Sequence, residues 1–229
     1  MENIFSDSDF RGKNRIAFFD LDRTIIKSNS GRLMFKYAWN RKILTRRNLA
    51  RGIWMSMLYK SGLRETVEII RSLTKGLAGI PEASFLEMSE EMFHLHFLKE
   101  IRDEMRERIS SHKKAGIKTV MLSSGLRPIC IIIANHLEMD DVICSDLETE
   151  NGIFTGNPRG QFCFGHEKVE RLREYCAKYA IEPSECWYYG DSHTDLEVLG
   201  SVGHAVCVFP DRVLLKEATQ RGWEIIGTI

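Results

Sequence analysis

An α/β fold, with a parallel sheet between helices and a separate helical insert, is what this 229-residue sequence predicts. Three observations carry that expectation. Short apolar runs end abruptly in Asp, Ser or Gly; helical patterns separate the later runs; and a long amphipathic stretch parts the first two. Runs that are apolar throughout, without alternation, suit strands covered on both faces. Strand–helix–strand alternation then implies a parallel sheet.

The elements follow in chain order. "RIAFFD" (15–20) is the first strand. From about Lys27 to Phe97 the pattern is helical, with Pro81 placed to start a helix after the break at Gly76 and Gly79. That stretch is too long for a simple crossover. The expected division is therefore a core of residues 1–26 and 97–229 with a helical cap of residues 27–96. "IKTVMLSSG" (117–125) is the next strand and Pro128–His136 the helix behind it. "VICSDLETENGIFTG" (142–156) suggests a hairpin turning at Asn151-Gly152. Glu167–Ala180 reads as a helix, "CWYYGD" (186–191) as a strand, Asp195–Leu199 as a short helix and "HAVCVF" (204–209) as a last strand.

Composition excludes several function classes. Lys and Arg number 32 against 32 Asp and Glu, and this balance argues against a general nucleic-acid binder. The longest apolar run, Ile129–Ala134, is far too short for a transmembrane helix, and "MENIFSDSDFRGKNR" has no apolar signal-peptide segment. The six cysteines are scattered with no C-x-x-C pair, so a reduced, cytoplasmic setting is expected rather than a disulfide framework. The cap is lopsided in charge: Arg32 to Lys75 holds eleven Lys/Arg against Glu65 and Glu68. With Trp39, Trp54, Met55, Met57 and Tyr59 interleaved, that basic run suits an anionic substrate or an anionic lipid surface.

In open parallel sheets ligands bind beyond the carboxyl ends of the strands. Asp20, the Ser123-Ser124 pair and Asp191 end three of the expected strands, and Asp195 lies one helical turn after Asp191. With Asp22, four carboxylates would gather there and repel one another unless a cation sits among them. Oxygen-only ligands favour a hard ion, and Mg²⁺ beside a phosphate is the expected one.

These residues carry a resemblance. "FDLDRT" resembles the D-x-D-x-T motif of the haloacid dehalogenase superfamily, "VMLSSG" its second motif and "GDSHTD" its fourth, while Lys168 stands where the third-motif lysine is expected. The resemblance implies a Rossmann-like three-layer core with a C1-type cap and a Mg²⁺-dependent phosphatase of small phosphorylated substrates. It implies Asp20 as nucleophile through an aspartyl-phosphate and Asp22 as acid and base. Mg²⁺ would be held by the Asp20 and Asp191 side chains and the Asp22 carbonyl. Thr24, Ser123, Ser124, Gly125 and Lys168 would lie against phosphate, and Asp195 would support Lys168 or a metal-bound water.

An insert between the first and second motifs is similar to the phosphoserine phosphatase branch. The tail "VFPDRVLLKEATQRGWEII" resembles that of the subfamily IB hydrolases, some of which act on phosphatidylglycerophosphate. Two residues depart from the pattern. Arg23 replaces the small residue usual after the second aspartate, and Asn29 stands where phosphoserine phosphatases carry a glutamate for the substrate's amine. A phosphomutase or phosphotransferase, and a non-catalytic binding protein, are the alternatives. His94 and His96 are spaced for different helix faces and suit structural roles. His193, Thr194 and Arg127 could line the pocket or only shape its loops.

Overall fold

The computed structural model describes residues 15–41, 71 and 74–228. Its centre is a six-stranded sheet of β1 (Ile16–Phe19), β2 (Lys118–Leu126), β3 (Asp141–Ser145), β6 (Trp187–Gly190), β7 (His204–Val208) and β8 (Glu224–Ile226). The order is β3-β2-β1-β6-β7-β8, and every pairing is parallel. The chain builds outward from β1 in one direction and then in the other, so the strand order reverses at β1. A crevice opens at such a point, beyond the carboxyl ends of the strands.

Each strand feeds two cores because successive side chains point to opposite faces. Phe19, Met121, Tyr189 and Val206 lie on one face, packed with α2 (Glu82–Leu95), α3 (Asp103–Lys114) and α4 (Arg127–His136). Phe18, Leu122, Tyr188 and Cys207 lie on the other, under α5 (His166–Lys178), α6 (Leu196–Leu199) and α7 (Arg212–Arg221). This is the three-layer arrangement expected. All six cysteines are buried and unbridged. Among the described residues no helix is long and apolar enough to cross a membrane.

The segment that interrupts the fold leaves and returns side by side. Ile26 bridges Ile101 antiparallel, the Lys27 N–H donates to the Glu100 carbonyl at 2.9 Å, and the Arg102 N–H donates to the Ile25 carbonyl at 2.9 Å. Within it, α1 (Ser30–Asn40) and α2 are described. Most of the basic run and its aromatic residues, and hence the expected lipid-facing surface, lie outside the described residues.

The hairpin differs from expectation at its start. Asp141–Ser145 is β3, an edge strand of the main sheet parallel to β2. The hairpin proper is β4 (Leu147–Glu150) with β5 (Ile153–Pro158). Its turn is where the sequence put it, with Asn151 at φ 51° and Gly152 at φ 75°, the pair of positive φ values a two-residue hairpin turn needs. Between the two, the Asp146 carboxylate accepts the Leu147 N–H at 2.9 Å and breaks the run. The hairpin also holds the insert: the Phe154 N–H donates to Ile80 at 3.0 Å, and the Gly79 N–H donates to Phe154 at 2.9 Å. Phe85 of α2 meets Phe154 edge to face, with ring centroids 5.5 Å apart.

Candidate active site

β1 delivers Asp20 to the crevice. Its N–H still donates to the Tyr189 carbonyl at 2.9 Å, so the ladder fixes its backbone, and its side chain is only 5% exposed. β6, on the other side of the reversal, delivers Asp191. A turn of 3-10 helix after Asp191 brings back Asp195. Carboxylate oxygens of Asp20, Asp191 and Asp195 all lie within 4.8 Å of one another.

Lys168, in the first turn of α5 and 4% exposed, ties this floor together. Its ammonium donates to Asp20 Oδ1 at 2.8 Å, to Asp195 Oδ1 at 2.8 Å and to the Tyr188 hydroxyl at 2.9 Å. All three donors are thereby used. The Tyr188 hydroxyl in turn donates to Asp195 Oδ1 at 3.1 Å. Gly190 is required here, since a Cβ on it would stand 2.8 Å from Asp195 Oδ2. Burial works against the lysine's charge, yet Asp195 and Asp20 together hold its pKa well above the usual lysine value. Burial raises the Asp20 carboxyl, Lys168 opposes that rise, and Asp195 and Asp22 add to it. Asp191 is pushed up to about 8 by burial and by the charges of Asp20 and Asp195, and its carboxylate accepts no hydrogen bond among the described residues.

Asp22 is turned to a different support. Its Oδ1 accepts the Ser30 N–H at 2.7 Å and its Oδ2 accepts the Asn29 side-chain N–H at 3.0 Å, so it sits on the N-terminus of α1. Burial raises its pKa while the Ser30 contact pulls the other way. Asn29 is the N-cap of α1, its Oδ1 accepting the Arg32 N–H at 2.9 Å. Both ends of that amide are therefore committed.

The second-motif residues end β2, the strand beside β1. Ser123 is fully buried and its Oγ accepts the Gly125 N–H at 3.1 Å. A Cβ at Gly125 would meet Cys130 Sγ at 2.9 Å, so this end of β2 has room only for glycine. Ser124 is half-buried beside it. Thr24 is fully buried and its hydroxyl has no hydrogen-bond partner among the described residues. The structure thus joins Asp20, Lys168 and Asp195 by direct bonds, sets Asp191 against them and holds Asp22 just aside.

The fourth-motif loop is clamped from the C-terminal side. Asp211, the N-cap of α7, accepts the Val213 and Leu214 N–H groups at 3.0 and 2.8 Å with Oδ1. Its Oδ2 accepts the His193 N–H at 2.9 Å and meets His193 Nδ1 at 2.8 Å, while the Asp211 N–H donates to the Asp191 carbonyl at 2.9 Å. His193 therefore shapes the loop. Sequence reasoning missed Tyr188, which reads as one more strand aromatic. It also missed the clamping role of Asn29, although Asn-Ser-Gly before an amphipathic run is an N-cap signal. His94 lies in α2, whereas His96 stands just beyond it, its ring edge-on to Tyr37.

Comparison with known proteins gives the family. The profile of the haloacid dehalogenase-like hydrolases matches residues 17–200. A probable phosphatase of Mycobacterium tuberculosis is 32% identical over 92% of this chain and 74% of its own length. A histidinol-phosphatase of Neisseria meningitidis is 26% identical over 93% of this chain and 98% of its own. A protein of unknown function from Bordetella pertussis has the same fold, with a TM-score of 0.85 and 21% identity over 94% of this chain and 99% of that one. The chain belongs to the haloacid dehalogenase-like hydrolase family and is an enzyme of its phosphatase kind.

Proposed function

We propose that the chain is a Mg²⁺-dependent phosphomonoesterase that works through an aspartyl-phosphate on Asp20. The observation that carries this reading is the state of Asp20 itself. One of its oxygens is held by a buried lysine, while the other accepts no hydrogen bond among the described residues and lies in a crevice beside Asp22. In the first half-reaction Asp20 attacks phosphorus, the ester P–O bond breaks, and the Asp22 carboxyl gives its proton to the departing oxygen. In the second, the Asp22 carboxylate takes a proton from water as that water attacks phosphorus, and phosphate leaves with Asp20 restored. Burial keeps the Asp22 carboxyl proton-bearing at higher pH than an exposed aspartate, which suits the acid step.

The donor set fits a divalent cation. Three buried carboxylates crowd within 4.8 Å and a single lysine reaches two of them, leaving negative charge uncompensated. The Asp20 and Asp191 side chains and the Asp22 carbonyl would hold Mg²⁺, which would neutralise the phosphate as charge shifts during transfer. Asp195, whose Oδ1 takes both Lys168 and Tyr188, would position the lysine. Thr24, Ser123, Ser124 and Gly125 would face the phosphate, with Lys168 balancing charge on Asp20 and the transferred group. Residues 27–96 would act as a cap over the crevice, excluding water when closed.

Asn29 argues against phosphoserine as the substrate. Its amide already caps α1 and holds Asp22, so it is not available to a substrate amine. The test is phosphate release with and without Mg²⁺ across phosphoserine, histidinol phosphate, sugar phosphates, lysophospholipid-type phosphates and p-nitrophenyl phosphate. Mg²⁺-dependent release, with a phosphoenzyme trapped on acid quench, supports the reading. Transfer to a second hydroxyl without free phosphate would make it a phosphotransferase, and silence on every ester would remove the phosphatase assignment.

A further inference from the structure

Five non-glycine residues among those described have positive φ: Arg23, Glu138, Asn151, Ala180 and Phe209. Three have ordinary reasons. Asn151 makes the hairpin turn, while Glu138 and Ala180 lie just past the ends of α4 and α5, where left-handed residues close helices. Arg23 (φ 61°) lies in the tight turn after Asp20, where the Ile25 and Ile26 N–H groups donate to the Asp20 and Leu21 carbonyls, and Phe209 (φ 43°) precedes Pro210; both converge on Arg102. Arg102 Nε donates to the Arg23 carbonyl at 3.3 Å, and its guanidinium lies 3.9 Å over the Phe209 ring. The same ring lies against Gly227, where a Cβ would come within 2.4 Å. Strained backbone of this kind costs about 1–2 kcal/mol per residue and clusters where a site needs a particular placement.

The two arginines border the acidic crevice. Arg23 is exposed, and its charge reaches both Asp22 and Asp191, favouring their ionised forms. Arg102 is half-buried and feels the charges of Glu104, Asp191 and Glu100. Among the described residues the Arg23 guanidinium and the terminal amino groups of Arg102 have no hydrogen-bond partner, so both keep fork donors for a ligand. Lys168 supplies the positive charge of the floor, which leaves the arginine forks free to meet another part of a ligand.

We propose that Arg23 and Arg102 are specificity-determining residues that select phosphomonoesters carrying a second anionic group, carboxylate or phosphate, close to the ester. Guanidinium forks match both oxyanions in two-point geometry. This rests on the phosphomonoesterase reading above and goes on to name the class of its substrate.

Matched esters test it. Phosphoglycolate and ethyl phosphate differ by a carboxylate in place of a methyl group, and ethylene glycol bisphosphate offers a second phosphate. Each is measured as substrate and as inhibitor of p-nitrophenyl phosphate hydrolysis. The native enzyme is expected to favour one or both charged esters over ethyl phosphate, and the favoured one names the second anion. Arg23→Gly and Arg102→Gln should each lower kcat/KM, or raise Ki, for the charged esters roughly 10- to 100-fold. Ethyl phosphate should change by less than about threefold, and Arg23→Lys should restore part of the preference. Arg23→Gly should also raise Tm by a few degrees as the left-handed strain is relieved. Equal losses on charged and uncharged esters, or a native enzyme indifferent to the second charge, would overturn the selection role while leaving the phosphatase reading in place. No hydrolysis of p-nitrophenyl phosphate would instead remove that reading, and this inference with it.

Discussion

The floor of the crevice and its mouth are built on opposite principles. On the floor, Lys168 uses all three of its hydrogens on Asp20, Asp195 and Tyr188, groups set on β6, on α5, at the end of β1 and in a short 3-10 turn. At the mouth, Arg23 and Arg102 carry uncommitted donors, and two residues with positive φ hold them in place. A saturated, buried network resists rearrangement and suits groups that must meet a reacting atom in one geometry. Donors left open at a rim suit a group that must discriminate between ligands. If the proposals hold, chemistry and selection would be separated within a few residues of chain, since Asp22 and Arg23 are neighbours.

Breaking the floor should have the largest effects. Asp20→Asn is expected to lower turnover by about 10⁴-fold or more and to leave no phosphoenzyme on acid quench. Asp22→Asn should cost about 10²–10⁴-fold, with both half-reactions slowed in stopped-flow phosphate release. If Asp20→Asn kept native activity, the nucleophile would be another residue. Lys168→Met leaves two buried carboxylates without their cation and should destabilise the metal-free protein by about 3–5 kcal/mol, measured by urea unfolding. A much smaller loss would mean that the carboxylates simply take up protons.

The pH dependence sharpens the comparison further. Asp191 titrates near 8 in the folded protein against a usual 3.8, and Asp20 is raised in the same direction. Between those values the folded protein keeps protons that the unfolded chain has released. That contribution to stability is fully present below the ordinary carboxylate value and is lost as pH rises toward 8. His112, buried and pushed down to about 3, acts oppositely below its usual 6.5, so the carboxylates are best seen above that value. Metal-free protein should lose Tm between about pH 6.5 and 8, and the increase in Tm on adding Mg²⁺ should grow across the same interval. An Mg²⁺ effect independent of pH would count against these aspartates as its ligands. The smallest effect belongs to the wall between floor and mouth. Asn29→Ala removes the cap of α1 and should cost about 1 kcal/mol in thermal unfolding, against almost nothing if the cap is incidental.

How much of this was legible depended on whether a residue's role is local. Strands such as Ile16–Phe19 and Trp187–Gly190 announce themselves because both faces are covered and every position is apolar. The D-x-D, the serine pair, Lys168 and the G-D-x-x-x-D spacing were legible because strand ends and helix turns fix where their side chains go. β3 was misread because its apolar run leads straight into the hairpin with only Asp146 between. α3 was not anticipated, since its buried stripe is just Met105, Ile109 and a histidine, and β8 is too short to signal itself. Tyr188 and Arg102 were invisible for another reason. Each meets a partner 20 or more residues away, Lys168 for Tyr188 and Phe209 for Arg102, and nothing in the neighbouring sequence marks a tyrosine that meets a lysine or an arginine that stacks on a ring.

The paired linkers at Ile25–Lys27 and Glu100–Arg102 bear on how such a protein can diversify. With its exit and return held side by side by backbone hydrogen bonds, the intervening chain leaves and rejoins the core at one point. Doubling the length of a flexible loop costs only about 0.6 kcal/mol in closure entropy. Length changes away from α2, which itself packs on the sheet face and on the hairpin, would leave the register of the strands that hold the aspartates little disturbed. The sheet that carries the aspartates could then stay fixed through descent while the chain between β1 and β2 is rewritten.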